Sequence, residues 1–149
     1  MKYLIKINEA VTKKDFLLDL QDFCESHLAY LLDEGTKIMV MDSVRQHNPM
    51  MSNKKIKVND NIALIFIRLP YKTMWEDVKD YMIPFFNLLD KEYNITHDKI
   101  GFRLAESPWQ AIKKDFNVED IVSEITSSES WKLVNKYPII RFEIRVKAK

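Results

Sequence analysis

The chain has 149 residues, of which 46% are hydrophobic and 30% are charged, as is typical of one folded domain with a core and a well-solvated surface. This composition excludes a disordered chain, and no apolar run reaches the roughly 18 residues that a membrane span needs. Because the N-terminal residues also lack the apolar core of a signal peptide, we expect a cytoplasmic location and no membrane partner. The 23 basic and 22 acidic residues nearly cancel, so net charge alone indicates no ligand.

The residue types that carry chemistry are sparse. A single cysteine, Cys24, excludes an internal disulfide and a thiolate-rich metal site. Two glycines, Gly35 and Gly101, are too few for a glycine-rich phosphate loop. The chain has three histidines, His27, His47 and His97. Their spacing fits neither a metal site nor the paired motifs of two-histidine phosphoesterases. The sequence therefore predicts no metal, cofactor or assembled catalytic site, while leaving enzymatic activity open.

The first predicted helix covers residues 13–34. Its apolar residues recur at helical spacing from Phe16 to Leu32, and Gly35 follows as a C-cap. Cys24 belongs to this apolar stripe, which indicates a buried and inert thiol.

Two further helices are predicted from capping signals. A Thr-x-x-Glu box, Thr73 to Glu76, begins one of them. In the other, Ser107 is the N-cap and Pro108 is the first helical residue, and the helix restarts at Asn117.

Alternating or continuous apolar patterns predict the strands, which lie at residues 2–7, 37–44, 54–58, 62–69, 99–104 and 139–147. The resulting order is β-α-β-β-β-α-β-α-β. It predicts an α+β fold over residues 1–149, a single two-layer domain with a mixed or antiparallel sheet and the helices packed on one face. The first part of this order is partly ferredoxin-like.

Opposite charges are separated along the chain. Residues 15–34 contain six acidic and no basic residues, whereas residues 131–149 contain six basic residues and one acidic residue. The period of two in the strands predicts that the helix-free face of the sheet carries the basic side chains, because the apolar ones alternate with them. The candidate ligand-binding residues are Lys55, Lys57, Lys99, Arg103, Arg141, Arg145 and Lys147. Such a face attracts RNA, DNA or an acidic protein surface, although an ordinary solvated sheet face has the same composition.

Two segments carry a family resemblance. Residues 22–35, DFCESHLAYLLDEG, and residues 75–93, WEDVKDYMIPFFNLLDKEY, resemble segments of small accessory proteins of large tailed bacteriophages. The resemblance covers mainly two helices and includes no catalytic motif. It implies a phage protein that acts in the cytoplasm of an infected bacterium, and it assigns no site residues.

Three functions remain open from the sequence. The first is a non-enzymatic phage accessory protein that binds RNA or DNA through the basic face. The second is a protein-protein inhibitor of a bacterial host enzyme or defence factor, which would dock through the acidic helix or the loop with Met50 and Met51. The third is a nucleotide-binding or nucleotide-cleaving protein with His47 or His97 in a cleft, and it requires a concave pocket. The oligomeric state is not indicated.

Overall fold

The computed structural model describes residues 13–43, 61–124 and 128–149. Within these ranges the helices are α1 Lys13–His27, α2 Ala29–Asp33, α3 Trp75–Glu92, α4 Val118–Val122 and α5 Glu129–Lys136. The strands are β1 Lys37–Asp42, β2 Ile62–Arg68, β3 Tyr93–Ser107, β4 Gln110–Asn117 and β5 Ile139–Ala148. The strands predicted at residues 2–7 and 54–58 lie outside the described residues.

The described strands form one antiparallel sheet in the order β1-β2-β5-β3-β4. The helices pack on one face of this sheet, because their buried side chains and the inward side chains of the strands belong to one hydrophobic core. The predicted α+β class, with helices on one face of an antiparallel sheet, is confirmed. The first strand of the partly ferredoxin-like order lies outside the described ranges.

The centre of the core is an aromatic cluster around Phe102, which is fully buried. Its ring centroid lies 4.8 Å from that of Phe142 on the neighbouring strand and 5.1 Å from that of Phe116 on β4. Trp75 of α3 and Trp131 of α5 approach the same ring at 5.5 Å and 6.0 Å. Phe102 therefore joins three strands to two helices.

The first predicted helix is confirmed in its extent, from Lys13 to Asp33, but it is divided at Leu28 into α1 and α2. Gly35 follows with a φ of 102°, a left-handed conformation that glycine adopts without steric cost. The backbone N–H of Gly35 donates to the carbonyl oxygen of Leu32 at 3.1 Å, which closes the helix end.

Cys24 lies inside the core with no exposed surface. Burial, with a smaller contribution from the charge of Glu25, raises the pKa of this thiol to about 12. Since the thiolate is the reactive form, labelling of the native protein by a thiol reagent at pH 8 is expected to be very slow. It should become fast and stoichiometric in denaturant, and the released chromophore measures both rates. Rapid labelling of the folded chain would contradict the core position of Cys24.

The predicted capping box at Thr73 is displaced in the structure. Helix α3 begins at Trp75, and the carboxylate of Asp77 accepts a hydrogen bond from the backbone N–H of Met74 at 2.8 Å. The hydroxyl of Thr73 instead donates to the carbonyl oxygen of Pro70 at 2.6 Å, which closes the turn before the helix.

The helix predicted at Ser107 is wrong. Strand β3 continues to Ser107, a turn follows at Pro108 and Trp109, and β4 returns from Gln110. Proline fits both the first turn of a helix and a hairpin turn, so the local signal does not discriminate between them. Pairing with β3 decides the outcome, because it gives the backbone N–H and C=O groups of β4 their hydrogen-bond partners and directs Phe116 into the core. The restart at Asn117 is confirmed as the short helix α4, and helix α5 was not predicted.

Candidate nucleic-acid interface

The helix-free face of the sheet is rich in basic side chains, as its alternation predicted. On β5, Phe142, Ile144 and Val146 are fully buried toward the helices, whereas Arg145 and Lys147 between and beyond them are exposed. We call this surface the basic face and define it by its charged members. These are Lys37, Arg68, Lys99, Arg103, Lys113, Asp115, Arg141, Glu143, Arg145 and Lys147. Eight of these residues are basic and two are acidic, so the described part of the face is strongly positive.

Five of these cations form one continuous row across the sheet. In the strand register each residue of this row lies directly opposite the next one, and every strand contributes one member. The order is Lys37, Arg68, Arg141, Arg103 and Lys113, which we call the basic row. Because neighbouring strands are about 4.8 Å apart, the row extends over about 19 Å.

The basic row costs stability, since like charges directly opposite one another on paired strands repel. A solvated sheet face usually mixes both signs of charge, yet each cross-strand pair along this row is basic with basic. Negative charge placed along the row would reduce this repulsion.

Glu143 partly offsets the repulsion from the neighbouring position on β5. Its Oε2 accepts hydrogen bonds from Nε of Arg103 at 2.8 Å and from Nε of Arg141 at 3.1 Å. Its Oε1 lies 3.5 Å from Nζ of Lys113. Burial alone raises the pKa of the Glu143 carboxyl, but the two arginine hydrogen bonds and the Lys113 charge outweigh burial and hold it below its ordinary value. One carboxylate thus faces three cations, and the cluster keeps a positive charge.

Gly101 makes room for this cluster. It lies on β3 directly opposite Glu143, between the strands that carry Lys113 and Glu143. A Cβ atom at Gly101 would lie 2.9 Å from Cε of Lys113 and 3.2 Å from the carbonyl oxygen of Glu143. The missing side chain lets the lysine cross β3 and reach the carboxylate, so this strand glycine is explained by space and not by backbone conformation.

A depression of about 370 Å³ opens beside Gly101 and is lined by Lys99, Lys113 and Arg145. His97 lines it as well, from an irregular stretch of β3 where the register with β5 shifts between Ile95 and Ile100. His97 has a φ of 58° and Asp98 a φ of 54°, the left-handed conformation that lets the strand bulge at this point. The basic face is therefore concave at this point, where the three cations line the concavity together with Asp115 and Glu143.

Five of the seven candidate residues lie on the basic face, and the other two lie outside the described residues. Arg103 and Arg141 belong to the basic row and are bound to Glu143. Arg145, Lys147 and Lys99 are exposed on the same face. Lys55 and Lys57 lie outside the described residues, and so does His47.

Sequence reasoning missed three members of the basic row, Lys37, Arg68 and Lys113. Lys113 was assigned to a helix, so the alternation of β4 was not applied to it. Lys37 and Arg68 begin and end strands that were recognised from their apolar interiors. Extending the alternation to these strand ends would have assigned them to the outer side of the sheet.

The opposite side of the molecule is acidic. The six acidic side chains between Asp15 and Glu34 are all exposed on the helix layer. On the same layer Tyr30 and Tyr81 stack with ring centroids 4.9 Å apart and remain partly exposed. The separation of charge along the sequence is thus a separation between the two faces of the fold.

Comparison with known proteins adds no relative. No family model, no curated protein and no solved structure matches the chain. Within the described residues, no group of histidine, cysteine and carboxylate side chains is arranged to hold a metal ion. No helix in the same part of the chain is long and apolar enough to cross a membrane.

Proposed function

We propose that this chain is a non-enzymatic accessory protein of a bacteriophage that binds RNA or DNA in the cytoplasm of its host, through the basic face of its sheet. The basic row is the observation that carries this proposal. Five cations in one continuous row, one on each strand, suit a ligand with regularly repeated negative charges. The phage origin rests on the resemblance of the two helical segments.

The linear arrangement favours a nucleic-acid backbone over an acidic protein surface. Carboxylates on a folded protein are irregularly spaced, whereas the phosphates of a nucleic acid repeat along the chain. Arginine is also the residue best suited to phosphate, because its planar guanidinium presents several donors at once. Three of the five members of the basic row are arginines.

Glu143 aligns two of these arginines without consuming all their donors. Both Arg103 and Arg141 use Nε toward the carboxylate. No hydrogen bond from their terminal guanidinium nitrogens to the described residues accompanies these contacts, so those nitrogens can donate to phosphate oxygens. The Cζ atom of Arg141 lies 4.9 Å above the ring of Phe66, which further fixes the position of this guanidinium.

A triple variant tests the proposal without disturbing the Glu143 cluster. Arg68, Arg145 and Lys147 are exposed members of the basic face, so changing all three to glutamine should leave the fold intact. Fluorescence anisotropy with labelled 20-nucleotide RNA and DNA strands, over a series of salt concentrations, would measure binding. Each phosphate contact with a single strand contributes about 0.7 to the slope of log K against log salt, so losing three lowers the slope by about 2. We expect the affinity at low salt to fall at least about tenfold.

A matched variant controls for net charge. Lys14, Lys91 and Lys132 are exposed on the helices, and changing them to glutamine removes the same three charges from the helix layer. This control is expected to bind like the wild type. Equal losses in both triple variants would mean that only net charge matters, and the basic face would be rejected as the site. If the wild type binds neither strand even at low salt, the proposal fails and a protein partner becomes the better hypothesis.

A further inference from the structure

A groove of about 730 Å³ lies at the end of the sheet next to the basic row. Two members of the basic row, Lys37 and Arg68, form part of its lining, so the groove and the row are one continuous surface. The rest of the lining is largely apolar and comes from the ends of β3 and β5 and from the segments next to the ends of the strands. It includes Tyr71 and Tyr137 together with the prolines Pro70, Pro108 and Pro138.

Two aromatic side chains at this end of the sheet are almost entirely exposed. Tyr71 lines the groove and is 88% exposed, and Trp109, which follows the lining residue Pro108 in the β3–β4 turn, is 95% exposed. The other two tryptophans, Trp75 and Trp131, are 3% and 2% exposed, so this chain buries its tryptophans elsewhere. Large aromatic rings left in water next to a concave surface indicate a contact surface for a ligand.

The walls of the groove are held by hydrogen bonds and do not need a ligand to form. The backbone N–H of Leu69 donates to the carbonyl oxygen of Ile140 at 3.0 Å, and that of Ala105 donates to Pro138 at 2.9 Å. The backbone N–H of Ile139 donates to the carbonyl oxygen of Thr73 at 2.7 Å. These bonds fasten the end of β3 and the segment after β2 to the start of β5. A groove that is already ordered loses less conformational entropy when a ligand binds.

We infer that this groove, with Tyr71 and Trp109, receives the unpaired bases of a single-stranded nucleic acid whose phosphates lie on the basic row. The inference rests on the proposed function and narrows its ligand to single strands. The groove is lined by three basic residues, Lys37, Arg68 and Lys72, and by one acidic residue, Glu106. Its net positive charge favours a polyanion over a neutral or basic peptide.

The chemistry of stacking explains why a duplex would not bind in the same way. Bases of a single strand can turn out of line and stack on aromatic rings, and each stacked base contributes about 1–3 kcal/mol. In a duplex the bases are paired and stacked on one another, so the aromatic rings have no exposed base face to contact. The basic row would still attract a duplex through its phosphates, which predicts weak and unselective duplex binding.

Tryptophan fluorescence reports on the groove directly. Of the three tryptophans in the chain, Trp109 alone is exposed, so quenching by an added strand originates from it. We expect oligo(dT) or oligo(U) of 12 nucleotides to quench this emission at low salt, and a 12-base-pair duplex to leave it unchanged. The double variant Y71A and W109A should bind the single strand at least about tenfold more weakly in an anisotropy measurement, with duplex affinity unchanged.

The matched control is Tyr30→Ala, which removes a partly exposed aromatic ring from the helix layer and should leave strand affinity unchanged. If the wild type binds the strand but Trp109 is not quenched and the double variant binds normally, the stacking role is overturned and the proposed function stands. If no strand binds at all, both proposals are rejected. Equal quenching by single strand and duplex would also overturn the inference.

Discussion

Replacing Phe102 by alanine is expected to lower the free energy of unfolding by about 3–5 kcal/mol, which is the usual cost of removing a buried phenylalanine. The side chain has no exposed surface and contacts four aromatic rings, on β4, β5, α3 and α5. The cavity left behind would border all four, and rings held by separate elements cannot close it together. Because a domain of this size has about 5–15 kcal/mol of total stability, the variant should be close to the limit of folding.

Urea unfolding followed by far-ultraviolet circular dichroism measures this loss. Phe66→Ala is the matched control, because Phe66 lies on the basic face and is only half-buried. The same truncation should cost less than half as much there, since its cavity would open to solvent. If both variants were equally destabilised, the aromatic cluster around Phe102 would not be the centre of the core.

Strands such as β5 could be predicted from the sequence because only one face of the sheet is buried. Apolar and charged residues therefore alternate along the strand. In β5 the buried residues Phe142, Ile144 and Val146 alternate with charged ones, and this pattern alone assigns each side chain to a face. In β3 the same alternation is seen, since Ile100 and Leu104 are buried on either side of Arg103, which faces outward. Alternation and helical spacing are local properties, so a single sequence is enough to read them.

The β3–β4 hairpin could not be predicted because its local signals suit two structures. Ser107 and Pro108 suit the start of a helix as well as a turn, and the large apolar side chains that follow are Trp109, Ile112 and Phe116, too few to discriminate between helix and strand. What decides the outcome is a partner strand with free backbone groups, which β3 provides. That information lies in tertiary structure.

The basic row shows the same limit at the functional site. The alternation places Arg103 and Arg141 on one face, but it does not say that they lie opposite each other, nor that Lys37, Arg68 and Lys113 continue the line. Register is set by the packing of the whole sheet. The groove beyond the row depends in addition on loops that come together only in the fold.

Changing Glu143 to glutamine is expected to destabilise the protein by about 1.5–3 kcal/mol at pH 7, the range for hydrogen bonds that involve a charged group. The amide can still accept a hydrogen bond from Arg103 or Arg141, but it cannot offset the repulsion among these two arginines and Lys113. Glu92→Gln, the same exchange at an exposed position of α3, is the control and should have little effect. High salt should reduce the loss in Glu143→Gln, because it screens the repulsion that remains.

The pH dependence of this difference has a definite sign. The folded state holds the pKa of Glu143 below its ordinary value, because the arginine hydrogen bonds and the lysine charge outweigh burial. A carboxylate of this kind contributes stability that is fully present above its unfolded pKa of about 4.3 and is lost as the pH falls through the lower folded value. The wild type should therefore exceed the glutamine variant in stability by a constant amount from pH 7 to about pH 5, and by progressively less below about pH 4.3.

Urea unfolding of both proteins across this range measures the difference. A gap that stays constant into strong acid would show that Glu143 acts through its shape and not through its charge.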